Sequence, residues 1–182
     1  MNYTLEKIQE KYQAGERLKY IFFWGHTPAK DGQVTKSCFS QWWECDFEID
    51  GVIYRNAEQF MMAEKARIFN DQLIREQILQ STHPKQAKDL GRKVAGFDED
   101  IWKNERYDIV KRGNLAKFSQ NAELKGFLLN TGNRVLIEAS PVDKIWGIGL
   151  AVDDKDVENP FAWQGLNLLG FALMEVRNEL KG

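Results

Sequence analysis

One segment of the chain, Ser140-Pro141-Val142-Asp143-Lys144-Ile145-Trp146-Gly147-Ile148-Gly149, sets an acid beside an indole ring and two glycines. Glycine admits backbone where a Cβ would collide, and tryptophan offers a flat apolar face to a ring. Asp143 with Trp146, Gly147 and Gly149 therefore suits a sugar or nucleotide-like ligand. A second set lies on a stretch that reads as a helix from Asn56 to about Phe69. There Glu58, Met62 and Lys65 fall at i, i+4 and i+7 and share one face. An acid and an amine on an otherwise apolar face could form a reactive pair. Equally, Glu58 could serve the helix dipole while Lys65 pairs with Glu64 or solvent. The dipole favours ionised Glu58, and burial favours its protonated form.

The remaining chemistry-bearing residues are less specific. Trp102 stands just before a helix expected from about Lys103 to Ser119, as a core or capping ring or as a surface for a base. Trp24, Trp42 and Trp43 carry the same ambiguity. Arg92, after Gly91 at a helix end, could meet a phosphate or simply be a surface guanidinium. Asp98, Glu99 and Asp100 read as a solvated first helical turn, and His83 as a turn residue before Pro84. Cys38 and Cys45, with only His26 and His83 as further soft ligands, do not make the spacing of a structural zinc site. No metal and no cofactor is expected.

These residues need a scaffold, and the chain has the composition for one. It has 182 residues, 43% of them hydrophobic and 12% aromatic, which fits one folded domain over 1–182. A net charge of -2 argues against bulk electrostatic binding of nucleic acid, although a local basic pocket built from Lys30, Lys36, Arg92 and Lys93 is compatible with it. No apolar run approaches a membrane span and the N-terminus lacks a signal-peptide pattern, so the expectation is a cytoplasmic protein without a membrane partner.

The pattern is mainly α with a small β element. A polar helix is expected at 4–14, a strand at Tyr20–Trp24, and a long polar loop from about His26 to Ser37 that could act as a lid. Asp50-Gly51 between 45–49 and 52–54 signals a hairpin with a type I′ turn. Asn56 with Gln59 three residues on forms a capping box. Further helices are expected at 71–80, 84–92 and 121–130, a strand at 134–138, and a last helix from about Trp163 to Leu180. Leu166, Leu169, Leu173 and Val176 would line its core face.

Taken together, several motifs in fixed order make the chain similar to the YbiA-like, or NADAR, family over nearly its whole length. They are Phe39-Ser40, then Tyr54-Arg55-Asn56-Ala57-Glu58-Gln59-Phe60 running into Ala63-Glu64-Lys65-Ala66, then Leu90-Gly91-Arg92. Trp102 precedes Ala116-Lys117-Phe118 and Leu128-Leu129-Asn130-Thr131-Gly132. Glu138-Ala139-Ser140-Pro141-Val142-Asp143 with Trp146-Gly147-Ile148-Gly149 follows, then Trp163-Gln164-Gly165-Leu166-Asn167-Leu168-Leu169-Gly170 and Leu173-Met174-Glu175-Val176-Arg177. The chain departs from the pattern at Gln59, where many members carry histidine, at Gln41-Trp42, and in a longer Gly25-to-Ser37 segment.

The resemblance implies a mainly helical fold and an N-glycosidase acting on ribosylated nucleobase-like compounds. It implicates Glu58, Trp102 and Asp143 in activity, with Lys65 matching the motif lysine. Two substrate classes follow from it: ADP-ribosyl-guanine, free or within nucleic acid, and ribosylamino-pyrimidine phosphates of riboflavin biosynthesis. The longer loop after Gly25 favours the larger ADP-ribosyl ligand. On this reading Glu58 and Asp143 flank the anomeric carbon and Trp102 stacks the base. Lys65 then meets a phosphate or Glu58, or alternatively traps the opened sugar as an imine. A module that binds NAD or ADP-ribose without cleaving it is the non-enzymatic alternative. The oligomeric state is open.

Overall fold

A computed structural model describes residues 2–182, which cluster into two units: Gln41–Ala122, and the chain up to Ser40 together with Glu123–Gly182. Helix dominates both, as the sequence pattern predicts. Among the described residues, no helix is long and apolar enough to cross a membrane.

The first unit, Gln41–Ala122, opens with a hairpin. Strands β1 (Phe47–Ile49) and β2 (Val52–Tyr54) pair antiparallel across Asp50-Gly51, whose φ angles of 53° and 78° are those of a type I′ turn. Helix α1 (Ala57–Ile68) follows. Asn56, in extended backbone, accepts from the Gln59 amide at 2.9 Å and so starts the helix where the sequence predicts. The return half of the capping box lands one residue early, however. The Gln59 carboxamide oxygen accepts from the Arg55 amide, not from Asn56. Its Nε2 donates to the carbonyls of Ile78, Leu79 and Ser81 at 3.0–3.2 Å. Those carbonyls close helix α2 (Gln72–Leu79), so Gln59 ties the start of one helix to the end of another.

Helix α1 is buried on nearly every side, against α2, α3 (Pro84–Gly91) and α4 (Glu99–Gln120). Two helical glycines make this fit. A Cβ on Gly91 would lie 2.0 Å from Met62 Sδ, and one on Gly113 would lie 2.5 Å from the Phe60 ring. Helix α4 begins at Glu99, capped by the Asp98 carboxylate accepting from Asp100 and Ile101, a full turn earlier than the sequence reading. Trp102 therefore lies inside its first turn, not ahead of it, and is 8% exposed.

The second unit holds helices α5 (Leu5–Gln13), α6 (Ala122–Asn130, whose first residue belongs to the other unit) and α7 (Leu168–Leu180) around a two-stranded sheet. Strands β3 (Tyr20–Phe23) and β4 (Val135–Glu138) run parallel, with Tyr20 opposite Val135 and Phe23 opposite Glu138. Helix α7 packs on β4. It begins at Leu168 rather than near Trp163, which corrects the sequence reading. Asn167 sits in left-handed backbone at φ 53°, and a helix cannot run through it. Leu166 is accordingly outside the helix and 43% exposed.

The Asn167 side chain explains why that conformation is retained. It is fully buried, donates to the Leu136 carbonyl at 2.9 Å and accepts from the Glu138 amide at 3.0 Å. The carboxamide thus stands in for a neighbouring strand along β4. Removing it strands one buried and one part-buried backbone group, each worth about 1–3 kcal/mol. We expect Asn167→Ala to lower unfolding free energy by roughly 3–5 kcal/mol, once the poorer tolerance of alanine than of asparagine for left-handed backbone is added. An unchanged midpoint in urea denaturation would contradict this.

Candidate functional site

The sequence-derived residues fall into one set in each unit. In the hairpin-and-α1 unit, Glu58 occupies the first turn of α1 and is 3% exposed. The Gln41 carbonyl accepts from its amide at 3.0 Å, and Gln41 is itself held by Asn114, whose carboxamide donates to Gln41 Oε1 at 2.7 Å. Gln41, one of the departures from the family pattern, therefore fixes the backbone beneath Glu58.

Two turns on, Lys65 is half-buried and does not pair with Glu64. The Glu64 carboxylate is taken by Arg67 at 3.0 Å and faces Arg112 at 3.5 Å. Lys65 Nζ instead lies 4.1 Å from the centroid of the Phe97 ring and 5.6 Å from that of Trp102. Ring faces attract a cation, but they replace little of the water it loses. Burial accordingly pushes the Lys65 amine below the ordinary lysine value, partly offset by the Glu99 carboxylate. Phe97, 42% exposed and edge-on to Phe69, is a residue that sequence reasoning missed. Its only signal was an aromatic in the short loop ahead of the capped helix.

Arg92 caps the end of α3, is exposed, and lies 3.6 Å from Asp89. It makes no contact with Lys65 or Trp102 among the described interactions.

In the other unit the Ser-Pro loop is a tightly laced structure. Asp143 Oδ1 accepts from the amides of Ile145 at 2.9 Å and Trp146 at 2.8 Å. Its other carboxylate oxygen has no hydrogen-bond partner among the described residues. The carbonyls of Lys144, Ile145, Trp146, Gly147 and Ile148 accept from Leu166, Leu168, Leu169, Asn167 and Gln164 in turn. Loop carbonyls therefore consume the amides that open α7, and no anion site is left there.

Gly147 is needed for that lacing. A Cβ on it would sit 2.8 Å from the Glu138 carbonyl and 3.0 Å from that of Asp143. The close approach it permits is intramolecular. Gly149, at φ 70°, backs onto Gln164 at 3.0 Å. Trp146 is half-buried, while Trp24, just past the end of β3, is 60% exposed.

The hairpin-and-α1 unit thus offers a buried glutamate and a depressed amine beside two rings, and the other unit an aspartate with one oxygen fixed and the other available. These are the groups for handling a proton, holding an anion and stabilising a developing cation. Cys38 and Cys45 are free thiols, with burial raising Cys45.

A family model described as the NADAR domain matches residues 22–181. N-glycosidase R617 of Acanthamoeba polyphaga mimivirus is 43% identical over 169 residues, covering 90% of this chain and 98% of the relative. N-glycosidase YbiA of Escherichia coli strain K12 is 30% identical over 144 residues, 79% of each chain. The NMR structure of E. coli YbiA superposes with a TM-score of 0.72 at 27% identity, over 90% of this chain and 85% of that one.

The Lys65 environment yields a pH prediction. Acylation of Lys65 followed by mass spectrometry should show a midpoint below the ordinary lysine value of 10.5, and Glu99→Gln should lower it further. The same depression means the folded state gains stability as pH rises from the native Lys65 pKa towards the ordinary value of 10.5. A Lys65 midpoint at or above 10.5 would contradict the assignment.

Proposed function

The chain belongs to the NADAR family, and from that premise we propose that it is an N-glycosidase that releases ADP-ribose from the exocyclic amine of guanine. The observation that carries the chemistry is the contrast between its two acids. Glu58 is buried at a helix start, and Asp143 is held by two backbone amides through a single oxygen. Acids in unlike environments suit unlike roles in glycosyl transfer.

In the reaction, the C1–N bond breaks through an oxocarbenium-like state. Asp143, its orientation fixed through Oδ1, stabilises the cation with the other oxygen. Glu58 gives a proton to the departing amine and regains one from the water whose oxygen bonds to C1. Lys65 serves as a cation for the ligand's phosphate, and Trp102 bounds the base pocket and shields the Lys65 amine. Trp146 and Trp24 offer ring faces, and Gly147 and Gly149 let the Ser-Pro loop fold into the shape that aims Asp143. Neither metal nor cofactor enters.

The substrate preference rests on aromatic surface. ADP-ribosyl-guanine carries two purines, and the chain exposes Trp24 and Phe97 besides the half-buried Trp146. A ribosylamino-pyrimidine phosphate has a single ring to place.

Two variants and one trap test the mechanism. Glu58→Gln and Asp143→Asn should each lower kcat by about 10³-fold or more, in the range of general acid–base and charge stabilisation. Near-normal turnover in either would remove that residue from the reaction. Borohydride added during turnover should leave Lys65 unmodified, and a covalent sugar adduct there would replace the phosphate role with an imine.

A further inference from the structure

Arg106 is buried without the compensation that the other buried arginine receives. It is 5% exposed, donates no hydrogen bond among the described residues, and its Nε is fully enclosed. The nearest acid is Glu99, 3.9 Å away and itself 65% exposed. Arg177 shows what a structural role demands: also buried, and with its Nε likewise unpartnered, it still donates from Nη1 to Thr131 Oγ1 and the Arg134 carbonyl, both at 2.8 Å. Desolvating a guanidinium is costly, and an exposed carboxylate at 3.9 Å repays little of it.

The position of Arg106 gives that cost a use. Glu99, Trp102 and Arg106 fall at i, i+3 and i+7, so they share one face of α4. Lys65 reaches the same place from α1, over the Trp102 ring and within the field of Glu99. Glu99 therefore acts on both cations, Arg106 at 3.9 Å and Lys65 through its field, beside the Trp102 ring.

We propose that Arg106 and Lys65, walled by Trp102 and Phe97, form a subsite for the phosphate or pyrophosphate of the substrate. The guanidinium supplies a planar fork that matches two phosphate oxygens, and the ammonium supplies a point charge. Glu99 holds the cations in place when the subsite is empty and turns out to solvent when the anion enters. The inference rests on the N-glycosidase reading for its substrate, but not for the anion itself.

The test separates the two. For wild type and Arg106→Gln, kcat/KM is measured on a 5′-phosphorylated ribosylamine substrate and on its dephosphorylated form. The preference for the phosphorylated form should fall about 30- to 100-fold in the variant, the loss expected for charge-assisted hydrogen bonds. Equal loss on both forms would overturn the subsite while leaving the glycosidase reading intact. Independently of turnover, millimolar pyrophosphate should raise the Tm of wild type and not that of Arg106→Gln. Without added anion, Arg106→Met should melt higher than wild type, because an uncompensated charge has been removed. A lower Tm for Arg106→Met, or an equal pyrophosphate shift in both proteins, would make Arg106 a structural residue. If neither of these substrates nor ADP-ribosylated guanosine turns over but the pyrophosphate shift follows Arg106, the glycosidase reading fails and the anion site stands.

Discussion

The burial of α1 on nearly every side is the constraint from which the hairpin-and-α1 unit follows. A helix enclosed by three others should be apolar throughout, yet this one carries Glu58, Gln59 and Glu64 at 4% exposure or less. Each needs a partner that the fold must bring. Gln59 binds three carbonyls at the end of α2, and Glu64 meets Arg67 and Arg112. Gly91 and Gly113 let α3 and α4 come close enough for this. With those demands met, the first turn of α1 is enclosed, and Glu58 lies buried within it.

The second unit reaches the same end by backbone lacing. Asn167 joins β4 to the start of α7, and the carbonyls of the Ser-Pro loop bind the amides around it. A loop that consumes its own hydrogen-bonding capacity cannot drift, so the Asp143 carboxylate is aimed by the fold. One acid is fixed by burial and the other by a turn.

Much of this was legible in the sequence. Asp50-Gly51 marked the hairpin and Asn56 the start of α1, because turn and cap chemistry is local. The start of α7 was not, because apolar spacing continues smoothly through Trp163 and Leu166. The break at Asn167 comes from contacts with β4, far away in the chain. Likewise, the spacing of Glu58 and Lys65 was readable, but not the Phe97 ring over Lys65. Arg106 stands one turn from Trp102 on a face that reads as ordinary helix surface. Only its burial, a tertiary property, separates it from the exposed Arg92 that sequence reasoning favoured.

The proposed reaction breaks one bond, between ribose C1 and an exocyclic amine. Purified protein offered ADP-ribosylated guanosine, with the products followed by mass spectrometry, addresses that bond directly. Free ADP-ribose together with intact guanosine is the predicted result. Substrate that binds stoichiometrically and returns unchanged would contradict the account and leave a recognition module in its place.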